Sequence, residues 1–229
     1  MPIGFGFNGQ WIALMIASVV LGLITQGFIR SSYRRWSRVA VSSGMTGAQV
    51  AQSILSANGL GDVEIRSVAG TLSDHYDPRN RSLNLSEGVY GVASVAAAGV
   101  AAHEAGHAVQ HARHYVWGSV RTALVPAANI GSNASFYLIL VGFWINLSGL
   151  VWLGIALYAM AVLFQLVTLP VEFDASRRAL GALEATSVMD TQQLAGARQV
   201  LTAAALTYVA GALIAAMQLL YFLGLANRD

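Results

Sequence analysis

The chain has 229 residues, of which 55% are hydrophobic and only 10% are charged, and its formal net charge is +2. A soluble domain has about 25% charged residues, so this composition excludes an ordinary soluble protein and favours an integral membrane protein. The absence of cysteine excludes disulfides and thiolate metal sites, so any zinc would need histidine and carboxylate ligands.

Four long apolar segments predict transmembrane helices, since about 20 apolar residues cross a bilayer. They predict a first helix in residues 1–30, a hairpin of two helices in 122–169 and a fourth helix in 201–229. Two segments remain between them: a subdomain in 31–121 and a helical segment in 170–200. The fold class is therefore a mostly α membrane protein with four transmembrane helices and a small α+β subdomain.

Arginine supplies every basic residue and predicts the orientation. Arginines crowd both segments that lie between the predicted helices, whereas the amino-terminal tail and the turn at Ser148 carry no charge. Because basic residues concentrate on the cytoplasmic side, we expect both termini outside and 31–121 and 170–200 in the cytoplasm. The same arginines fit contact with the lipid bilayer and give no reason to expect nucleic acid as a partner.

Residues 103–107 read His-Glu-Ala-Gly-His, the motif of a zinc peptidase helix. Positions i and i+4 of a helix share one face, so His103 and His107 can bind one ion. Glu104 projects about 100° away, where it can take a proton from water without ligating the metal. The alternative is a helix with incidental histidines. We expect residues 89–102 to be helical and to lead directly into the motif.

A third ligand is expected from the segment after the third apolar stretch. Pro170 predicts the start of a new helix there, whose first turn carries Glu172 and Asp174. Glu172 is the preferred ligand because it would complete a two-histidine, one-glutamate site, and Asp174 is a possible supporting residue. The alternative is that both acids only complement the helix dipole. Ser176 lies one turn after Glu172, and it either orients a ligand or is an ordinary helix serine.

The subdomain in 31–121 has recognisable local signals. Thr46 and Gln49 predict a capping box, and Asn58-Gly59 predicts the end of that helix. Alternating apolar residues near 63–65 and 83–85 predict two or three short strands. We expect Ser82 to Ser86 to be an edge strand that pairs with an extended substrate, although an ordinary hairpin explains the pattern equally well.

Several other polar residues are candidate substrate contacts. His75 and Tyr76 carry imidazole and phenol groups that can bind a developing oxyanion, and a structural role is their alternative. Asn84, inside the expected edge strand, is a third candidate of this kind. His111 lies one further turn along the motif helix, where packing is the better explanation.

The run from Asp74 to His111 resembles the YugP-like neutral zinc metallopeptidases of bacterial membranes, as does Leu-Pro-Val-Glu-Phe-Asp-Ala-Ser-Arg-Arg-Ala at 169–179. This resemblance implies a zincin-like subdomain holding one Zn²⁺ per chain, with ligands His103, His107 and Glu172 and catalytic Glu104. A more distant similarity is to HtpX and Ste24-type membrane peptidases. Those relatives usually carry Asp where this chain has Ser176, which leaves the role of that position open.

These observations predict a zinc endopeptidase of the cell membrane that cleaves protein or peptide substrates at the cytoplasmic face. One alternative is a site-2-type protease with the histidine pair inside a membrane span, but no span carries the expected downstream Asp-Gly ligand. The other is a membrane scaffold with a structural metal site, for which Glu104 would have no chemical use.

Overall fold

A computed structural model describes residues 9–227, which are mostly helical. The described chain forms seven helices and three short strands. The helices are α1 (Gly9–Trp36), α2 (Gly47–Ala57), α3 (Glu87–Tyr90), α4 (Val95–Ala112), α5 (Val116–Trp144), α6 (Ser148–Ala185) and α7 (Thr191–Ala226). The strands are β1 (Glu64–Val68), β2 (His75–Asp77) and β3 (Ser82–Ser86).

Four helices, α1, α5, α6 and α7, are long and apolar enough to cross a membrane. The sequence-based prediction of four candidate membrane-spanning helices is therefore confirmed. Large apolar side chains on them remain exposed, including Leu23, Trp144 and Leu220. Such exposure is unfavourable in water, whereas lipid tails can cover it.

The prediction that Pro170 starts a new helix is wrong, because Pro170 lies inside α6, which has 38 residues. Proline removes one backbone hydrogen bond from a helix interior, but the turns on either side can still form. One helix thus contains both the third apolar stretch and the acidic signature that follows it. The helix-dipole explanation of Glu172 fails for the same reason, since α6 begins far upstream at Ser148.

The described chain divides into two compact units. One contains 9–25, Ser119–Pro170 and 207–227, and its buried apolar side chains include Ile139, Phe143 and Phe222. The other contains Gln26–Gly118 and Val171–Leu206. All three strands, α2, α3, α4 and every candidate site residue belong to this second unit.

The capping box of α2 is present as predicted. The side chain of Thr46 accepts a hydrogen bond from the backbone N–H of Gln49, and the Gln49 side chain accepts one from the N–H of Thr46. Asn58 is the carboxyl-terminal cap, and Gly59 follows with a φ of +74°. Glycine adopts this left-handed conformation without strain, so the local sequence determines where α2 ends.

The strands form one sheet in the order β1-β3-β2. β3 pairs in parallel with β1 and antiparallel with β2. The prediction that Ser82–Ser86 is an edge strand is therefore wrong, because both of its edges are already paired. Leu83 and Leu85 on β3 are fully buried, as expected for the central strand of a small sheet. β2 and β1 are the edge strands.

α4 begins at Val95, later than predicted. Residues 87–90 form the separate short helix α3, and Ser94 caps α4 by accepting a hydrogen bond from the N–H of Ala97. The small residues of α4 are almost all buried, because alanine and glycine allow close packing. The motif thus lies on a buried, capped helix.

Candidate metal centre

Three side chains from α4 and α6 converge on one point. Nε2 of His103 lies 3.2 Å from Nε2 of His107 and 3.2 Å from Oε2 of Glu172. Nε2 of His107 lies 3.6 Å from the same carboxylate oxygen. Zinc bonds of about 2.0–2.1 Å in a tetrahedral site place neighbouring ligand atoms about 3.3 Å apart. The three donor atoms therefore have the spacing of three corners of a zinc tetrahedron.

The chemistry of this group also fits a cation. Glu172 is 2% exposed, and the two imidazoles are the only partners recorded for its carboxylate among the described residues. A buried carboxylate needs a positive charge beside it. Burial lowers the pKa of His107, but the hydrogen bond with Glu172 and the charges of Glu104 and Glu172 outweigh that effect, so the pKa is raised. The metal-free site thus favours a proton where an ion would bind.

Both histidines are contacted through their other ring nitrogen. Nδ1 of His103 lies 3.2 Å from Oγ of Ser176, and Nδ1 of His107 lies 3.0 Å from Oε1 of Gln110. These contacts leave the two Nε2 atoms facing Glu172, which is the arrangement that metal-binding histidines usually have. Ser176 is thus in contact with one of the predicted ligands.

No hydrogen bond joins Asp174 to the three converging side chains. It accepts hydrogen bonds from Nε2 of Gln110 at 2.9 Å and from Nε of Arg178 at 2.6 Å. Sequence reasoning missed Gln110. Its position three residues after His107 was the available signal, because residues i and i+3 of a helix are neighbours.

Glu104 is 9% exposed and is held by a backbone group. Its Oε2 accepts a hydrogen bond of 3.1 Å from the N–H of Tyr76 on the edge strand β2. Tyr76 lies opposite Leu83 in the antiparallel register of β2 and β3. Because the Tyr76 N–H donates to Glu104, it lies on the side of β2 that faces away from β3. The open edge of β2 therefore adjoins the glutamate of the motif.

Of the three candidate substrate contacts, only Tyr76 extends toward α4. Its hydroxyl lies 2.9 Å from Nδ1 of His111, a contact that sequence reasoning missed. Because neighbouring strand residues point to opposite faces, His75 and its cross-strand partner Asn84 lie on the other face of the sheet. Burial raises the pKa of Tyr76, so its phenol keeps its proton at neutral pH and can donate a hydrogen bond.

Comparisons with known proteins agree with this chemistry. The family model described as "Putative neutral zinc metallopeptidase" matches residues 11–227. The "Putative membrane protease YugP" of Bacillus subtilis (strain 168) is 44% identical over 212 residues, which cover 93% of this chain and 94% of that protein. No solved structure matches the chain.

Proposed function

Because the chain belongs to the neutral zinc metallopeptidase family, we propose that it is a membrane zinc endopeptidase with one Zn²⁺ held by His103, His107 and Glu172. The observation that carries this proposal is the convergence of three donor atoms at tetrahedral spacing. The donors come from two helices and are separated by up to 69 residues in the chain. They supply three ligands, the number typical of a catalytic zinc site that keeps one position open.

In this proposal Glu104 is the general base. Zinc supplies Lewis acidity that allows water to lose a proton near neutral pH. Glu104 accepts that proton as the water attacks the peptide carbonyl, and it then returns the proton to the leaving amine. The hydrogen bond from the N–H of Tyr76 supports this role, because it fixes one carboxylate oxygen and leaves the other for water.

The substrate is a protein or peptide bound in an extended conformation. The edge of β2 that faces away from β3 supports this step, because among the described strands none pairs with it and it lies next to Glu104, which already accepts the Tyr76 N–H. The Tyr76 phenol, which is paired with His111 on α4, is our candidate donor for stabilising a developing oxyanion. This assignment gives β2 the role that sequence reasoning gave to Ser82–Ser86.

We place the enzyme in the cell membrane, with the site on the cytoplasmic face and both termini outside. The four long apolar helices and the arginine distribution support this topology. The site-2-type alternative is disfavoured because α4, which carries the histidine pair, is not among the four candidate membrane-spanning helices.

The test compares wild type, Glu104→Gln and Glu184→Gln after purification in detergent. Glu184 is an exposed glutamate on α6 and is the matched control. We expect all three proteins to contain one zinc per chain and only Glu104→Gln to lose cleavage of a denatured protein substrate, by at least about 10²-fold. Cleavage by Glu104→Gln at the wild-type rate would contradict the proposal and favour the scaffold alternative.

A further inference from the structure

Gln110 connects one of the proposed ligands to the helix that carries another. It lies on α4, is 3% exposed, and both ends of its side-chain amide are hydrogen-bonded. The nitrogen donates to the carbonyl oxygen of Val171 at 2.8 Å and to Oδ2 of Asp174 at 2.9 Å. The oxygen lies 3.0 Å from Nδ1 of His107. A buried polar side chain with this many partners is costly to reorient.

The orientation of this amide follows from its partners. A backbone carbonyl and a carboxylate only accept hydrogen bonds, so the group facing Val171 and Asp174 must be the NH₂ of Gln110. The group facing His107 is then the carbonyl oxygen, which only accepts. Nδ1 of His107 must therefore carry a hydrogen, because otherwise two acceptors would face each other in a buried site.

Asp174 is itself held in place. Arg178, one turn further along α6, donates to the same Oδ2 atom that receives the Gln110 amide. The Arg178 guanidinium also lies 5.9 Å from the centre of the Tyr115 ring. Asp174 thus remains an acceptor at this position, and the amide of Gln110 cannot rotate without losing its partners.

We propose that Gln110 is a positioning residue that holds His107 with its hydrogen on Nδ1 and its Nε2 lone pair directed at the metal. Asp174 and Arg178 fix the amide in the orientation that this role requires. The inference rests on the proposed ligation of zinc by His107, and the contact of Gln110 with His107 parallels the contact of Ser176 with His103. Partners of this kind typically change metal affinity by 10- to 100-fold when they are removed.

A purely structural role for Gln110 predicts a different outcome. Its bonds to Val171 and Asp174 also join α4 to α6, and their loss would disturb the helix contact without acting on the His107 ring. The experiment must therefore report on the imidazole N–H itself, in addition to metal affinity.

The test uses the full chain with Gln110→Met and, as a matched control, Gln199→Met. Gln199 is a partly buried glutamine of the same unit, and it accepts a hydrogen bond from Trp36 far along the chain. Zinc dissociation constants come from competition with a chelator. In the cobalt-substituted proteins, proton NMR resolves the exchangeable N–H signals of the ligating imidazoles.

We expect two slowly exchanging imidazole N–H signals in wild type and in Gln199→Met. Gln110→Met should bind zinc at least about tenfold more weakly and lose one of these signals to rapid exchange, while Gln199→Met stays within threefold of wild type. Zinc binding by Gln110→Met within threefold of wild type would overturn the inference. Weaker zinc binding with both N–H signals still in slow exchange would also overturn the inference, because that result is expected if Gln110 only joins α4 to α6.

A second variant covers the case in which Gln110→Met does not fold. Asp174→Ala leaves Gln110 in place but removes the carboxylate that accepts from its NH₂ group, so it should accelerate exchange of the same N–H signal. Unchanged exchange in Asp174→Ala would then overturn the inference. Failure of wild type to bind zinc would instead contradict the proposed metal centre, which keeps the two failures distinguishable.

Discussion

A Cβ atom at Gly106 would lie 2.8 Å from the carbonyl oxygen of Ala175, so the backbones of α4 and α6 meet within the motif itself. Gly106→Ala should force these helices apart. We expect a loss of about 1–3 kcal/mol in the free energy of unfolding, typical of overpacking, and weaker zinc binding because Glu172 moves with α6. Chemical denaturation of the metal-free protein and a zinc titration measure the two effects.

Gly99 on the same helix provides the control. A Cβ there would lie 3.4 Å from Cβ of Ala197, an ordinary contact distance. Gly99→Ala should therefore leave zinc binding unchanged and keep or slightly raise stability, since alanine favours helix more than glycine. Equal behaviour of the two variants would contradict the close helix contact at the motif.

The metal-free and zinc-loaded proteins should respond oppositely to pH. The pKa of His107 is raised in the metal-free fold by its pairing with Glu172, although burial alone would lower it. In the unfolded chain, His107 has a pKa of about 6.5, and below this pH the protonated pair stabilises the metal-free protein fully. The stabilisation is lost as pH rises through the higher pKa that His107 has in the folded protein. Zinc competes with the same proton, so zinc affinity should rise over that range.

Melting temperatures measured with a chelator or with excess zinc across this pH range test the prediction. The melting temperature should fall with rising pH in chelator and rise in zinc. His107→Gln should remove most of both slopes. A metal-free melting temperature that increases with pH would contradict the pairing of His107 with Glu172.

Tyr76→Phe tests the phenol that meets His111. If this hydroxyl stabilises the oxyanion, its loss should lower kcat by about 10²-fold and leave zinc content unchanged. Tyr33→Phe is the control, because the Tyr33 hydroxyl contacts only the carbonyl of Gly88 among the recorded hydrogen bonds of the described residues. Unchanged kcat in Tyr76→Phe would assign the Tyr76–His111 contact to packing.

The sequence predicts local features of this protein well. The capping box at Thr46, the three strands and the four long apolar helices depend on neighbouring residues, and each is present. The motif spacing likewise requires only that residues 103–107 be helical, which they are.

The edge-strand prediction failed because it depended on distant parts of the chain. β3 is central because β1 and β2 pair with its two edges, and nothing within residues 82–86 specifies that arrangement. Pro170 predicted a helix start because proline is common at the first position of a helix, but α6 continues through it. The contacts of Gln110 with Asp174 and of Tyr76 with Glu104 join residues 64 and 28 positions apart, so spacing along the chain does not reveal them. The contact of Gln110 with His107, in contrast, follows from their i, i+3 spacing.

The coordination of zinc in wild type and Glu172→Ala tests the central claim most directly. X-ray absorption at the zinc edge, with the metal content of the same samples, should find one zinc per chain in wild type, bound to nitrogen and oxygen at about 2.0–2.1 Å with two imidazoles. Glu172→Ala should lose most of its zinc. A wild-type site with one imidazole or none, or a Glu172→Ala protein that keeps the wild-type spectrum and zinc content, would contradict the proposed centre.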